Sequence, residues 1–442
     1  MNKRSSDCAD FVHWFRSAAP YINGFRGKTF VLAFGGEVVE EGQFATLAQD
    51  INLLNSLGVH LVLVHGIRPQ VEARLKELGA EARYVRGLRV TDAAALACVK
   101  EAAGLVRVEI EALLSMGLAN TPMAGSAIRV ASGNFVTAKP YGVLDGVDLM
   151  HTGEVRRVDH EAIHMRLADN ELVLLSPIGY SPTGEIFNLA LEDVATQTAV
   201  ALKADKLVFF METEGVAGAR GKVVSTLTVA EGDQLLKKQR KLAEDVGFYL
   251  PAALAACNGG VKRAHLISRH RDGALLAELF TREGVGTLIT PTPLEMLRRA
   301  TIGDVGGVLQ LIEPLEQAGI LVRRSRELLE MEIERFMVLV SDGVIAGCIA
   351  LYPFIEEQAG ELACLAVAPD YRRRGYGEQL LQAGEAQARR LGLKRIFVLT
   401  TRTEHWFEER GFVEKNLGAL PRRRQALYNY QRRSKVLEKI LA

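Results

Sequence analysis

The run Arg372-Arg373-Arg374-Gly375-Tyr376-Gly377 puts three cations and two glycines into six residues, between the apolar stretch Glu361–Val367 and the helical pattern Glu378–Leu391. A strand that feeds a glycine loop and then a helix forms an anion cradle. Glycine lets the backbone turn tightly and approach a ligand, and the free N–H groups of the first helical turn point at it along the helix dipole. Pyrophosphate is the fitting ligand. A solvated basic turn would look the same over six residues, but it would not need the strand before, the helix after, or the later strand Lys394–Thr400 with Trp406-Phe407-Glu408-Glu409-Arg410-Gly411-Phe412 behind it. The five cysteines (Cys8, Cys98, Cys257, Cys348 and Cys364) form no C-x-x-C pair and have no metal-ligand spacing to histidine. No metal is therefore expected, and a reducing, cytoplasmic setting is.

The elements that must position this loop follow from hydrophobic periodicity. Apolar β-rich runs alternate with helical patterns: Thr29–Phe34, a helix with Phe44, Leu47, Ile51, Leu54 and Leu57 on one face, then Leu61–Val64. Leu172–Leu175, Lys206–Phe210 and Ala264–Ile267 read as further buried strands, with helices over Asp193–Lys203 and Asp272–Phe280. This is α/β logic, a mainly parallel sheet with helices on both faces. The prolines of Thr287–Glu295 favour extended chain, which places a boundary near 290 and gives domains 1–290 and 291–442. In the second, a strand at Leu297–Ala300, helices near Val305–Gln317 and Glu327–Phe336, and a hairpin of Met337–Val340 with Val344–Leu351 are expected.

With 442 residues, 48% apolar and 24% charged, the chain can bury a core without disulfides or metal. A net charge of +1 offers no field for nucleic acid, and no apolar run reaches the ~18 residues of a membrane span.

By spacing, the loop resembles the R/Q-x-x-G-x-G/A pyrophosphate loop of the GNAT acetyltransferases, and the segment from Met296 onward is similar to that α/β fold. The resemblance implies acetyl-CoA as co-substrate. Strand residues Cys364, Leu365 and Val367 would offer backbone groups to the pantetheine arm, and Arg372 and Arg374 to Gly377 would bind the pyrophosphate.

Two further stretches, Gly319–Arg326 and Tyr428–Lys435, are similar to segments of the proteobacterial N-acetylglutamate synthase family, and the similarity extends over nearly the whole chain. It implies transfer of acetyl to the α-amine of L-glutamate, the first step of arginine biosynthesis, with feedback inhibition by L-arginine. A dicarboxylate calls for arginine forks, which bind carboxylate bidentately and stay charged. Arg324 and one of Arg432 and Arg433 would grip the carboxylates, whereas Arg422–Arg424 read as solvated surface charge. Glu361 matches the family's base, acting directly or through water. Thr400 matches its hydroxyl near the sulfur, with Tyr428 and Tyr430 as rival acids. An acetyl-cysteine at Cys364 is disfavoured, because no histidine base is suggestively spaced and free cysteine usually packs as a small hydrophobe.

The first domain resembles the amino-acid kinases, N-acetylglutamate kinase in particular, through Phe34-Gly35-Gly36, Leu63-Val64-His65-Gly66, Ser132–Phe135, Ala204–Leu207 and Leu275–Thr281. Two lysines of active kinases correspond to Ala33 and Ala252, so phosphoryl transfer should be lost. The family's arginine-regulated members imply a sensor site at Tyr21 in a Phe11–Phe25 helix, His265, Glu278 and Gly284. On the residues alone, Glu278 could equally be a helix-surface glutamate and His265 a satisfied core residue. The resemblance also implies a homo-oligomer, a hexamer. Rival readings are a GNAT enzyme for another amine, such as a protein lysine, and a non-catalytic arginine-binding regulator.

Overall fold

The computed structural model describes residues 3–218, 221–238, 242–281, 283–341, 343–372 and 375–441. The chain divides into two compact units, Met1–Thr292 and Pro293–Ala442.

In the first unit, eight strands make the main sheet: Thr29–Phe34 (β1), His60–His65 (β2), Arg129–Ser132 (β3), Glu171–Leu175 (β4), Lys206–Met211 (β5), Thr226–Thr228 (β6), Arg263–Ser268 (β7) and Thr287–Thr290 (β8). Their order is β6-β8-β7-β5-β1-β2-β4-β3, and every neighbouring pair is parallel except β7 with β8. β1 and β5 are buried along their whole length, which is why they read as continuous apolar runs: helices cover both faces. Phe44–Ser56 and Ala93–Leu114 pack one face; Leu191–Ala201 and Glu244–Asn258 pack the other. Asp92 caps Ala93–Leu114 by accepting the Ala95 N–H at 2.8 Å.

The N-terminal helix Lys3–Phe25 (α1) lays Tyr21, Ile22 and Phe25 on this core, with the Phe25 ring edge-on to Phe30 and Phe280. Phe280 ends the helix Ala274–Phe280 (α2). Periodicity did not reveal a second, four-stranded sheet, ordered Ile186–Asn188, Ile178–Tyr180, Val136–Pro140 and Gly153–Val158. Its strands are three to six residues long and half exposed, too short and too mixed to stand out from loop composition.

The second unit holds seven strands: Glu295–Arg299 (β9), Phe336–Ser341 (β10), Val344–Phe354 (β11), Ala359–Val367 (β12), Arg395–Thr400 (β13), Val413–Lys415 (β14) and Lys435–Ile440 (β15). They lie in the order β9-β10-β11-β12-β13-β15-β14. Helices Val305–Gln317 (α3), Arg326–Glu332 (α4), Tyr376–Arg390 (α5) and Arg422–Ala426 (α6) join them. All pairs are antiparallel except β12 with β13, and α5 is the crossover that a parallel pair requires. The expected helix Glu327–Phe336 stops earlier. Ile333–Arg335 tightens into a 3₁₀ turn, and Phe336, fully buried, opens β10 opposite Ala350.

Candidate functional site

β12 and β13 pair over only three positions, Ala359–Arg395, Gly360–Ile396 and Glu361–Phe397. Beyond them, no further β12–β13 pair forms among the described residues, and the strands splay into a V. The cause is visible on the other edge of β12. Register against β11 jumps, with Cys348 opposite Ala366 and Ala350 opposite Ala363, so Cys364 and Leu365 together face Ile349. Cys364 has φ +50°, the left-handed conformation of a bulge, and its carbonyl accepts the Cys348 thiol at 3.3 Å. A bulge bends and twists its strand. The backbone groups of Leu362–Val367 on the β13 side are thereby left for a ligand, with Leu365 and Val367 half-buried beside it.

At the open end lies the start of α5. Gly375 is its N-cap at φ +79°, a value that favours glycine, and the amides of Tyr376 and Gly377 belong to the unpaired first turn. The Tyr376 ring is buried, stacked on Tyr371 and bonded to the Glu295 carboxylate, so only its backbone can serve a ligand. Arg372 is exposed beside the loop. Arg374 lies outside the described residues.

Glu361 stands at the apex of the V, its side chain 11% exposed. It is paired: Arg424 Nε donates to one carboxylate oxygen at 2.6 Å and Nη2 to the other at 3.0 Å. This corrects the reading of Arg422–Arg424 as solvated charge. The five-residue α6 turns Arg424 inward, which composition could not show.

Arg324 is held by a shell of acceptors. Burial works against its charge, yet a hydrogen bond to Tyr352 and the charge of Glu332 help to keep the guanidinium above its ordinary value. The Tyr352 hydroxyl in turn donates to Glu332 at 2.7 Å. Arg432 is the reverse case, lowered by burial and by the nearby charge of Arg324. One Arg432 nitrogen donates to the Ile320 carbonyl, and its Nε is buried without a partner. Two neighbouring guanidiniums with an unsatisfied donor are what an anion site needs. Arg433 is exposed at φ +50°. Of the alternatives Arg432 and Arg433, the structure brings Arg432 to Arg324.

The Thr400 hydroxyl, at the end of β13, shares a hydrogen bond with Thr403 Oγ1 at 2.8 Å and accepts the N–H groups of Thr403 and Arg402. Tyr428 donates to the Ser434 carbonyl at 2.7 Å, and Tyr430 is 71% exposed. Burial pushes the Cys364 thiol up to about 11, which favours the inert thiol over a nucleophilic thiolate.

In the first unit, His265 and Glu278 are both buried, with Nδ1 2.8 Å from Oε1. Glu278 is therefore no helix-surface residue. It also accepts the Val285 and Gly286 N–H groups at 2.7 and 3.0 Å, and it crowds the space where a side chain at Gly284 would stand. Lys206 Nζ lies 3.2 Å from His265 Nε2. Burial and Lys206 hold His265 neutral, at about 4, so it passes a hydrogen bond from lysine to carboxylate. Lys206 was missed as a member of this cluster, although a lysine inside an apolar strand run must find a partner. Tyr21, one turn before Phe25 on α1, packs on the same core near α2.

A cavity of about 790 Å³ opens beside Gly35, Gly36, Gly66 and Arg68. Here the glycine turn is filled from within: Glu37's carboxylate occupies the space beside Gly35, and Gln70's amide the space beside Gly36. Arg269, at the same cavity, is consumed by Glu212, Glu41 and Gln43.

Residues 28–268 match the model of the amino acid kinase family, and residues 308–418 that of the acetyltransferase (GNAT) family. A curated amino-acid acetyltransferase of Pseudomonas putida is 55% identical over 98% of this chain and 100% of its own length. The chain belongs to the amino-acid acetyltransferase family. Among solved structures, N-acetylglutamate synthase from Neisseria gonorrhoeae complexed with coenzyme A and L-arginine is 40% identical, with a TM-score of 0.89 over 98% of this chain and 99% of that one. The same enzyme complexed with coenzyme A and N-acetyl-glutamate aligns over the same shares with a TM-score of 0.63.

An amino-acid acetyltransferase uses acetyl-CoA, and the residues here fit it: the open edge of β12 would take an extended arm, and the free amides of the first turn of α5 would take a diphosphate. Among the described residues of this amino-acid acetyltransferase, no histidine, cysteine and carboxylate group could hold a metal, and no helix is long and apolar enough to cross a membrane.

Proposed function

We propose that this chain transfers acetyl from acetyl-CoA to the α-amine of L-glutamate, giving N-acetyl-L-glutamate and CoA, and that L-arginine inhibits it through residues 1–290. The observation that carries the reading is Arg324 beside Arg432, whose buried Nε lacks a partner, with Cys364, three residues after Glu361 on β12, within reach of the charges of both Arg324 and Glu361. A ligand with two carboxylates and one amine meets cations and base together.

In this reading Glu361 takes the ammonium proton, directly or through water, and the freed amine attacks the thioester carbon. Thr400 protonates the departing thiolate. The two amide N–H groups on its oxygen favour release of that proton, and Thr403 is placed to exchange it. Residues 291–442 do the chemistry, and the kinase-like domain, with Ala33 and Ala252 in place of lysines, serves as sensor. The gonococcal complexes with N-acetyl-glutamate and with L-arginine support both halves.

Arginine inhibits only by favouring a state in which the transferase site works less well, and binding linkage makes the effect mutual. Thiol release from acetyl-CoA, with each common amino acid as acceptor and with or without arginine, tests the proposal. Glutamate should exceed glutamine in kcat/KM by about five- to a hundredfold, because glutamine leaves one arginine unpaired. Glu278→Ala should raise the arginine concentration needed for inhibition by about tenfold or more while uninhibited turnover persists. Equal use of glutamate and glutamine would sink the substrate assignment. Unchanged inhibition in the Glu278 variant would sink the sensor site.

A further inference from the structure

The candidate base is not idle in this site; it is occupied. Arg424 engages both oxygens of Glu361 through a planar fork, at 2.6 and 3.0 Å, and its third nitrogen donates to the Leu427 carbonyl at 3.1 Å. Both oxygens are thus taken up by one guanidinium, and a lone pair for an acceptor amine must first be released from it. We propose that Arg424 is a positioning residue that restrains Glu361 until a carboxylate-bearing acceptor competes for the guanidinium, and that it thereby protects acetyl-CoA from water. The inference rests on the reading of Glu361 as base.

Three observations support it. The clamp sits at the apex of the V, where Glu361 is the last β12 residue paired with β13 and the first point at which a thioester could lie beside a base. Arg424 itself is anchored lightly, on a helix of five residues whose neighbours Arg422 and Gln425 are only partly or not at all buried. Its side chain keeps 21% exposure, which gives an incoming anion access. A second pair of cations, Arg324 and Arg432, lies beyond Cys364, which feels the charges of both Arg324 and Glu361; Arg432 has a buried Nε without a partner, so these two receive one carboxylate. The second carboxylate of a dicarboxylic amino acid then has Arg424 as its partner. Drawing the fork from Glu361 to the acceptor frees a lone pair on Glu361 in the complex that contains the amine.

Without such a clamp, water could take the amine's place. The water oxygen would bond to the acetyl carbon, the carbon–sulfur bond would break, and one water proton would pass through Glu361 to the thiolate, giving acetate and CoA.

The test uses the full chain and measures thiol release and acetate with no amino acid present. The variants are Arg424→Met, Arg424→Lys and the double variant Arg424→Met with Glu361→Gln. Loss of a bidentate charged pair corresponds to about a ten- to hundredfold change. Arg424→Met should therefore raise acceptor-independent release by that factor and lower kcat/KM for glutamate. Arg424→Lys, which keeps charge and loses the fork, should fall between it and wild type. Adding Glu361→Gln should return the uncoupled release to the wild-type level. A merely structural role for Arg424 predicts loss of both activities, never a gain in one. Uncoupled release at or below wild type in variants that still bind CoA by calorimetry would overturn the proposal. If Arg424→Met no longer binds CoA, the same readout on Arg424→Lys decides. Failure of the base assignment looks different: Glu361→Gln alone would retain near-normal acetylation of glutamate.

Discussion

The two units each contain a place for anions, and they differ in what the charges there do. In the C-terminal unit, strands are held apart by a bulge, Arg432 keeps a buried nitrogen without a partner, and two guanidiniums raise each other's energy. In the N-terminal unit, the glycine turn is filled by Glu37 and Gln70, and Arg269 spends all its donors on Glu41, Glu212 and Gln43. A working anion site keeps its polar groups short of partners until substrate arrives, at a cost in stability. A site released from that work has closed its hydrogen bonds internally.

The largest effect that would sharpen this contrast is at Glu361. Glu361→Gln should lower kcat by about 10²–10⁴ near neutral pH, with acetyl-CoA affinity nearly unchanged by calorimetry. Near-normal turnover would mean that another group, or water, removes the proton, and that the open site owes its activity to positioning alone.

Next comes a pH effect on the N-terminal unit. His265 sits at about 4, below its ordinary 6.5, because burial and Lys206 disfavour its cation. Between those values the unfolded chain binds a proton that the folded chain refuses, so stability falls as pH drops from about 6.5 to 4. Glu278, lowered by its hydrogen bond from His265 and by the Val285 and Gly286 amides against the cost of burial, acts in the same direction. For His265 alone the loss is on the order of 3 kcal/mol. Denaturant midpoints from pH 7.5 to 4.5 should fall less steeply for His265→Gln than for wild type. Parallel slopes would show that the cluster is not the acid-sensitive element.

The smallest effect concerns Ala33 and Ala252. Restoring both lysines should change ATP affinity less than about twofold, because Glu37 still fills the turn and repels phosphate. Adding Glu37→Ala to the two lysines should make ATP binding detectable by calorimetry. ATP binding with the lysines alone would erase the distinction between a retired site and one that is merely incomplete.

Much of the architecture was legible because it rests on burial. β1, β2 and β5 are covered on both faces and so read as unbroken apolar runs, and the glycine loop before α5 stood out by residue type. The family resemblance, carried by Gly319–Arg326 and Tyr428–Lys435, named Arg324 and left Arg432 and Arg433 as alternatives, of which Arg432 lies beside Arg324. What stayed hidden depends on direction. Arg424 looks like its neighbours Arg422 and Arg423 until a short helix aims it at Glu361. Lys206 joins His265 only through strand pairing, and the space beside Gly35 is filled by a residue two positions away whose rotamer no sequence states.

The bulge at Cys364 makes the acetyl-CoA cleft a matter of counting. β12 carries one more residue than its partner, and that surplus parts it from β13. Deleting a single codon at Cys364 or Leu365 would remove no charged group and no glycine of the loop. It would nonetheless restore strict alternation, let the two strands zip together, and turn the residues that follow to the opposite face of the sheet. Substitution scans, which hold length constant, would pass over this dependence entirely.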